Sequence, residues 1–87
     1  MAKFTVIITK SVQKQLAKLP DNVADKLEER MLQLEQNPKP YDCIKLKGRD
    51  AYRIRVGNYR IIYDIQENFL IITIIKVGHR KEIYRFI

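Results

Sequence analysis

The chain has one cysteine, one histidine, three glycines and no tryptophan. With Cys43 alone, no internal disulfide can form, and a reducing, cytosolic setting is expected. Without a supporting signature, Cys43 reads as an inert, half-buried thiol rather than a nucleophile. One His and one Cys cannot supply the ligands of an ordinary zinc site, so no metal and no other cofactor is expected. Gly48, Gly57 and Gly78 are too scattered for a phosphate loop or a dinucleotide fingerprint. The apolar run from Phe69 to Ile75 is far shorter than the roughly 20 residues that cross a bilayer, and nothing resembles a secretory signal, so no membrane partner is expected. Paired carboxylates at a catalytic spacing are also missing, since Glu28 and Glu29 read as the solvated face of a helix.

What is present is apolar substance and positive charge. At 87 residues and 46% hydrophobic, the chain can fill one core without a staple, and one domain over residues 1–87 is expected. Its formal charge of +7 favours a polyanionic partner such as nucleic acid, although a merely basic protein would show the same number. Position is more informative. Residues 1–40 carry seven Lys/Arg against five Asp/Glu, a net of +2, whereas residues 41–87 carry ten against five, a net of +5.

Hydrophobic spacing predicts the elements. Phe4 to Thr9 is rich in β-branched residues and reads as a strand. Thr9 or Ser11 can cap a helix with Val12, Leu16 and Leu19 on one side, stopped by Pro20. Asp21 reads as the cap of a second helix whose stripe is Ala24, Leu27, Met31 and Leu34, ending before Asn37 and Pro38. Lys39 to Asp50 suits a loop with a short extended piece near Cys43 to Leu46. From Ala51 the period changes to two, and Gly57-Asn58 punctuates two alternating runs, Ala51 to Val56 and Tyr59 to Ile65, as a hairpin. Phe69 to Val77 is apolar on both faces and reads as an interior strand. Arg80 to Phe86 suits one or two turns of helix. The expected fold is therefore α+β: an N-terminal strand and helical hairpin packed on a mainly antiparallel four-stranded sheet, with a short C-terminal helix or tail.

A turn at Gly57-Asn58 makes the hairpin register specific. Val56 meets Tyr59, Ile54 meets Ile61 and Tyr52 meets Tyr63 on an apolar face. On the other face Arg55 lies across from Arg60 and Arg53 across from Ile62, with Asp64 at the far end. Like charges directly opposite destabilise a sheet by roughly a few tenths of a kcal/mol. Two readings fit: the guanidinium groups splay into water or pair with Asp64 or Glu82, or an anion sits between them, because their forks match phosphate oxygens. Beyond the last strand, His79 brings a proton-transfer group and Arg80 another guanidinium. In a helical tail Tyr84 shares a face with Arg80, where it suits either base stacking or packing on the sheet.

These residues resemble the RelE/ParE superfamily of toxins from type II toxin-antitoxin modules. The resemblance is carried by Leu46-Lys47-Gly48, Tyr52-Arg53-Ile54-Arg55-Val56, Tyr59-Arg60-Ile61-Ile62-Tyr63 and Val77-Gly78-His79-Arg80 followed by Ile83-Tyr84. Each motif is weak alone, but their order and spacing together are specific over nearly the whole chain.

The RelE-like branch of that family implies a metal-independent mRNA endonuclease acting in the ribosomal A site through attack of a ribose 2′-hydroxyl on the neighbouring phosphate. It also implies a cognate antitoxin protein. Carried onto this chain, the catalytic positions are Arg53, Arg55, Arg60, Arg80 and Tyr84, and the basic neighbours Lys45, Lys47, Arg49, Lys81 and Arg85 are expected to contact RNA. One departure matters. In the best-studied RelE-like toxins the second-strand pair is lysine, one of them a candidate general base, whereas arginine does not readily accept a proton. His79, Lys47 or a carboxylate such as Glu82 then remain as proton acceptors. The ParE-like branch implies the alternative, a non-enzymatic toxin that binds and inhibits DNA gyrase.

Overall fold

The computed structural model describes residues 3–48 and 50–86, with the side chains of residues 84–86 outside that description. The elements, in chain order, are β1 (Thr5–Ile8), α1 (Lys10–Ala17), α2 (Asp21–Gln33), β2 (Ile44–Lys45), β3 (Tyr52–Val56), β4 (Tyr59–Gln66), β5 (Ile71–His79) and α3 (Arg80–Phe86). The sheet order is β1-β5-β4-β3-β2. The helical hairpin carries the chain from one edge strand to the other, and three antiparallel connections walk it back, so β5 meets β1 in parallel. None of the described helices is long and apolar enough to cross a membrane.

The expected four-stranded sheet is thus a five-stranded mixed one. The fifth strand is β2, paired with β3 through Ile44 opposite Arg53 and Lys45 opposite Tyr52. Two residues are too few to show alternation, so only the partner strand defines this edge.

Local chemistry sets most boundaries. The Thr9 hydroxyl caps α1 by accepting from the Val12 N–H at 3.4 Å, and it donates to the Ile74 carbonyl at 3.1 Å, fastening the helix to β5. Asp21 is the first residue of α2 rather than its cap; Pro20 holds the cap position, and the acid in the first turn complements the helix dipole. Gly57 has φ +59°, as a two-residue turn with glycine first requires. The last strand starts at Ile71, not Phe69: Leu70 has φ +54°, and Phe69 is 72% exposed in the turn after β4.

The sheet separates two apolar clusters. On one face Val12, Leu16, Leu27, Met31 and Leu34 of the helical hairpin and its exit pack on Ile54, Ile61, Tyr63, Ile72, Ile74 and Val77. On the other, Ile83 of α3 packs with Leu46, Ala51 and Ile62, joined by Ile75. Burying a side chain such as Ile83 stabilises by roughly 1.5–3 kcal/mol, which docks a seven-residue helix that could not persist alone. A bulge lets β5 serve both clusters. Ile62 pairs with Lys76 and Tyr63 with Ile74, so Ile75 is unmatched and the alternation shifts by one residue. Beside the bulge, the Val77 N–H finds the Gln15 side-chain carbonyl at 3.0 Å.

Candidate functional site

The register read from alternation is the observed one: Arg55 lies opposite Arg60 and Arg53 opposite Ile62. All three arginines therefore emerge on the face away from the helical hairpin. Arg60 is part-buried, and its Nη1 donates to the Gly57 carbonyl at 3.3 Å and the Tyr59 carbonyl at 3.1 Å, which folds the guanidinium against its own turn. The Arg80 N–H donates to the Asn58 carbonyl at 2.8 Å, pinning the start of α3 to the same turn.

Electrostatics joins the four residues. The Arg60 pKa lies below the usual arginine value, first because burial disfavours its charge, then because Arg55, Arg53 and Arg80 repel it. Arginine stays protonated through such a shift, so the repulsion remains as stored positive potential. Among the described residues the ion pairs are Lys3–Glu35, Arg30–Asp42 and Lys39–Glu67, and none neutralises this cluster. Asp64 and Glu82, the carboxylates the sequence offers as partners, leave the four arginines without an ion pair.

A groove of about 220 Å³ opens between Asp42, Ile44, Arg53, Arg55 and Arg60. Its Asp42–Ile44 wall went unnoticed in the sequence, where this stretch reads as loop; the only signal was extended character near Cys43. Below the wall, the buried Tyr63 hydroxyl donates to the Pro38 carbonyl at 2.8 Å, and burial, the main cause, with the neighbouring Cys43 thiol pushes its phenol pKa far up.

The remaining expected residues separate. His79 pairs with Tyr59, and its ring meets the Tyr59 ring edge-on at 5.7 Å. Tyr59 packs against the helix-side core, so His79 lies on the wrong face of the sheet to serve the arginines. Its Nδ1 accepts from the Lys81 N–H at 3.3 Å. Lys45, opposite Tyr52, also falls on that face. Lys47 and Lys81 are exposed on turn and helix. Arg49 and the side chains of Tyr84 and Arg85 lie outside the described residues.

Glu82 lands differently. Gly78 pairs with Arg60, and a Cβ there would meet Glu82 Oε2 at 3.0 Å and Ile83 Cδ1 at 3.6 Å. Glycine thus lets α3 sit close to β5, with the Glu82 carboxylate over the residue that pairs with Arg60. No group of three or more His, Cys, Asp or Glu capable of holding a metal occurs among the described residues.

Comparison with known proteins bears on this arrangement. A family model described as the ParE toxin of the parDE type II toxin-antitoxin system matches residues 6–84. The Methanocaldococcus jannaschii protein named RelE1 is 38% identical over 87 residues, covering 95% of this chain and 97% of that one. The mRNA interferase toxin RelE of Escherichia coli is 28% identical over 76 residues, covering 82% and 79%. Among solved structures, the archaeal RelE–RelB complex from Pyrococcus horikoshii superimposes with a TM-score of 0.80 at 37% identity, covering 90% of this chain and 96% of that one.

Proposed function

We propose that this chain, which belongs to the RelE/ParE superfamily of type II toxin-antitoxin toxins, is an endoribonuclease that cuts mRNA on the ribosome. The observation that carries the reading is the unneutralised cluster of Arg53, Arg55, Arg60 and Arg80, whose mutual repulsion is felt at Arg60. A fold gains nothing from guanidinium groups opposed in this way, whereas a phosphodiester between them receives charge-assisted hydrogen bonds from several directions.

In the reaction, the ribose 2′-oxygen forms a bond to the adjacent phosphorus and the bond from phosphorus to the 5′-oxygen breaks. Negative charge builds on the non-bridging oxygens, where the arginines stabilise it. The 2′-hydroxyl proton needs an acceptor. Arginine is unsuited to the task and His79 faces the other side; of Lys47 and Glu82, the remaining acceptors, we assign the role to Glu82, whose carboxylate α3 holds over Gly78, the residue paired with Arg60. The departing 5′-oxygen takes its proton from water. Glu82→Gln is expected to slow single-turnover cleavage by about 10²- to 10⁴-fold while ribosome binding persists. An unchanged rate removes Glu82 from the chemistry.

The partner is a cognate antitoxin, as in the RelE–RelB complexes that share the fold, and the place of action is the cytoplasm. The family model's own description keeps the ParE-like reading in play: a gyrase-binding toxin without nuclease activity. Primer extension on mRNA after induction, run beside a supercoiling assay, separates the two. Cuts within translated codons that disappear in both Arg60→Ala and Arg80→Ala support the nuclease. Intact transcripts with inhibited supercoiling overturn it.

A further inference from the structure

We infer that Arg30 is a positioning residue for the arginine site, holding the Asp42 carboxylate away from Arg53, Arg55 and Arg60 so that the groove stays open to phosphate. The inference rests on the phosphodiester reading and deepens it.

Asp42 lines the same groove as the three arginines. A carboxylate that shares a groove with three guanidinium groups is a competitor for them, because each fork matches a carboxylate as well as a phosphate. It pairs with none of them. Instead Arg30, from α2 on the other side of the sheet, reaches Asp42 Oδ1 with Nη2 at 2.5 Å. The Arg30 fork is itself steadied, since its Nη1 donates to Gln33 Oε1 at 3.3 Å. The backbone of the loop has separate anchors: the Tyr63 hydroxyl on the Pro38 carbonyl and the Cys43 N–H on the Pro40 carbonyl at 3.0 Å. Loss of Arg30 would therefore release the Asp42 side chain more than the loop that carries it. The hydrogen bond from Arg30 keeps the Asp42 carboxyl below the usual carboxylate range. Once released, it is an anion beside a cationic groove, competing with phosphate for the same donors.

The test compares wild type, Arg30→Met, Asp42→Asn and the double variant, using fluorescence anisotropy with a short labelled 2′-O-methyl RNA over a range of salt. Arg30→Met is expected to weaken binding about tenfold and to flatten the salt dependence by about 0.7 in the log–log slope, one phosphate contact on a single strand. Asp42→Asn is expected to bind about twofold tighter than wild type. The double variant should return to within about twofold of Asp42→Asn. If Arg30 serves only to brace the loop, the double variant binds as weakly as Arg30→Met, and the inference is overturned. Wild-type affinity in Arg30→Met, or no tightening in Asp42→Asn, overturns it as well. Following arginine Nε–Hε resonances during titration with inorganic phosphate repeats the comparison without RNA. The same loss and recovery there sustains the role of Arg30 even if the nuclease reading fails, and equal shifts in all four proteins sink it.

Discussion

On the helix-covered face of the sheet, Ile54, Ile61, Tyr63, Ile72, Ile74 and Val77 are each no more than 1% exposed. One residue further along the same strands, on the opposite face, Arg53, Arg55 and Arg60 crowd together with Arg80, and none of the ion pairs among the described residues involves them. The first face is arranged to lower the free energy of the folded chain. The second accepts a small electrostatic cost that only an added anion can recover. A β-strand alternates sides, so one short hairpin carries both purposes, and a substitution can be aimed at either with little effect on the other.

The largest expected effect lies on the apolar face. Leu27→Ala removes a fully buried side chain from α2 and should cost about 2–5 kcal/mol in chemical denaturation. Loss of less than about 1 kcal/mol would mean that this face is not the principal core. Next comes the cationic face: Arg60→Ala or Arg80→Ala should reduce single-turnover cleavage about ten- to a thousandfold. Thermal midpoints should move little, which is the contrast at issue.

Tyr63→Phe tests the link between faces. It deletes the hydrogen bond to Pro38 beneath the groove wall, with an expected loss of about 1 kcal/mol. Smaller again, Arg55→Thr should raise stability by roughly a few tenths of a kcal/mol by relieving the pair with Arg60, while lowering RNA affinity. A destabilised Arg55→Thr protein would show that the opposed arginines support the fold.

The smallest effect is set by pH. The Asp42 carboxyl titrates below its unfolded value, chiefly through the Arg30 hydrogen bond. Its contribution to stability is therefore fully present above the ordinary carboxylate range and is lost as pH falls through the folded value. Asp42→Asn should remove that part of the acid dependence, measurable as a shallower loss of stability on acidification.

Much of this was legible in the chain because it is local. Gly57-Asn58 and strict alternation set the register that opposes Arg55 to Arg60, and the spacing of Val12, Leu16, Leu27 and Met31 marked the helix faces that become core. The site's other members depend on long-range pairing. Ile44 and Lys45 have too little pattern to be called a strand until β3 defines them. Asp42 carries no sign of its partner, which lies twelve residues earlier on a helix.

The two-sidedness of the hairpin is written in its residues, since a period of two and a two-residue turn leave no other arrangement of those side chains. Which titratable side chains share the arginine face depends instead on how the elements pack. The β4–β5 pairing turns His79 toward Tyr59 and the helix side, while the missing Cβ of Gly78 lets α3 settle with Glu82 over the partner of Arg60. That choice rests on contacts between elements far apart in the chain, and such contacts leave no periodic trace in the residues that make them.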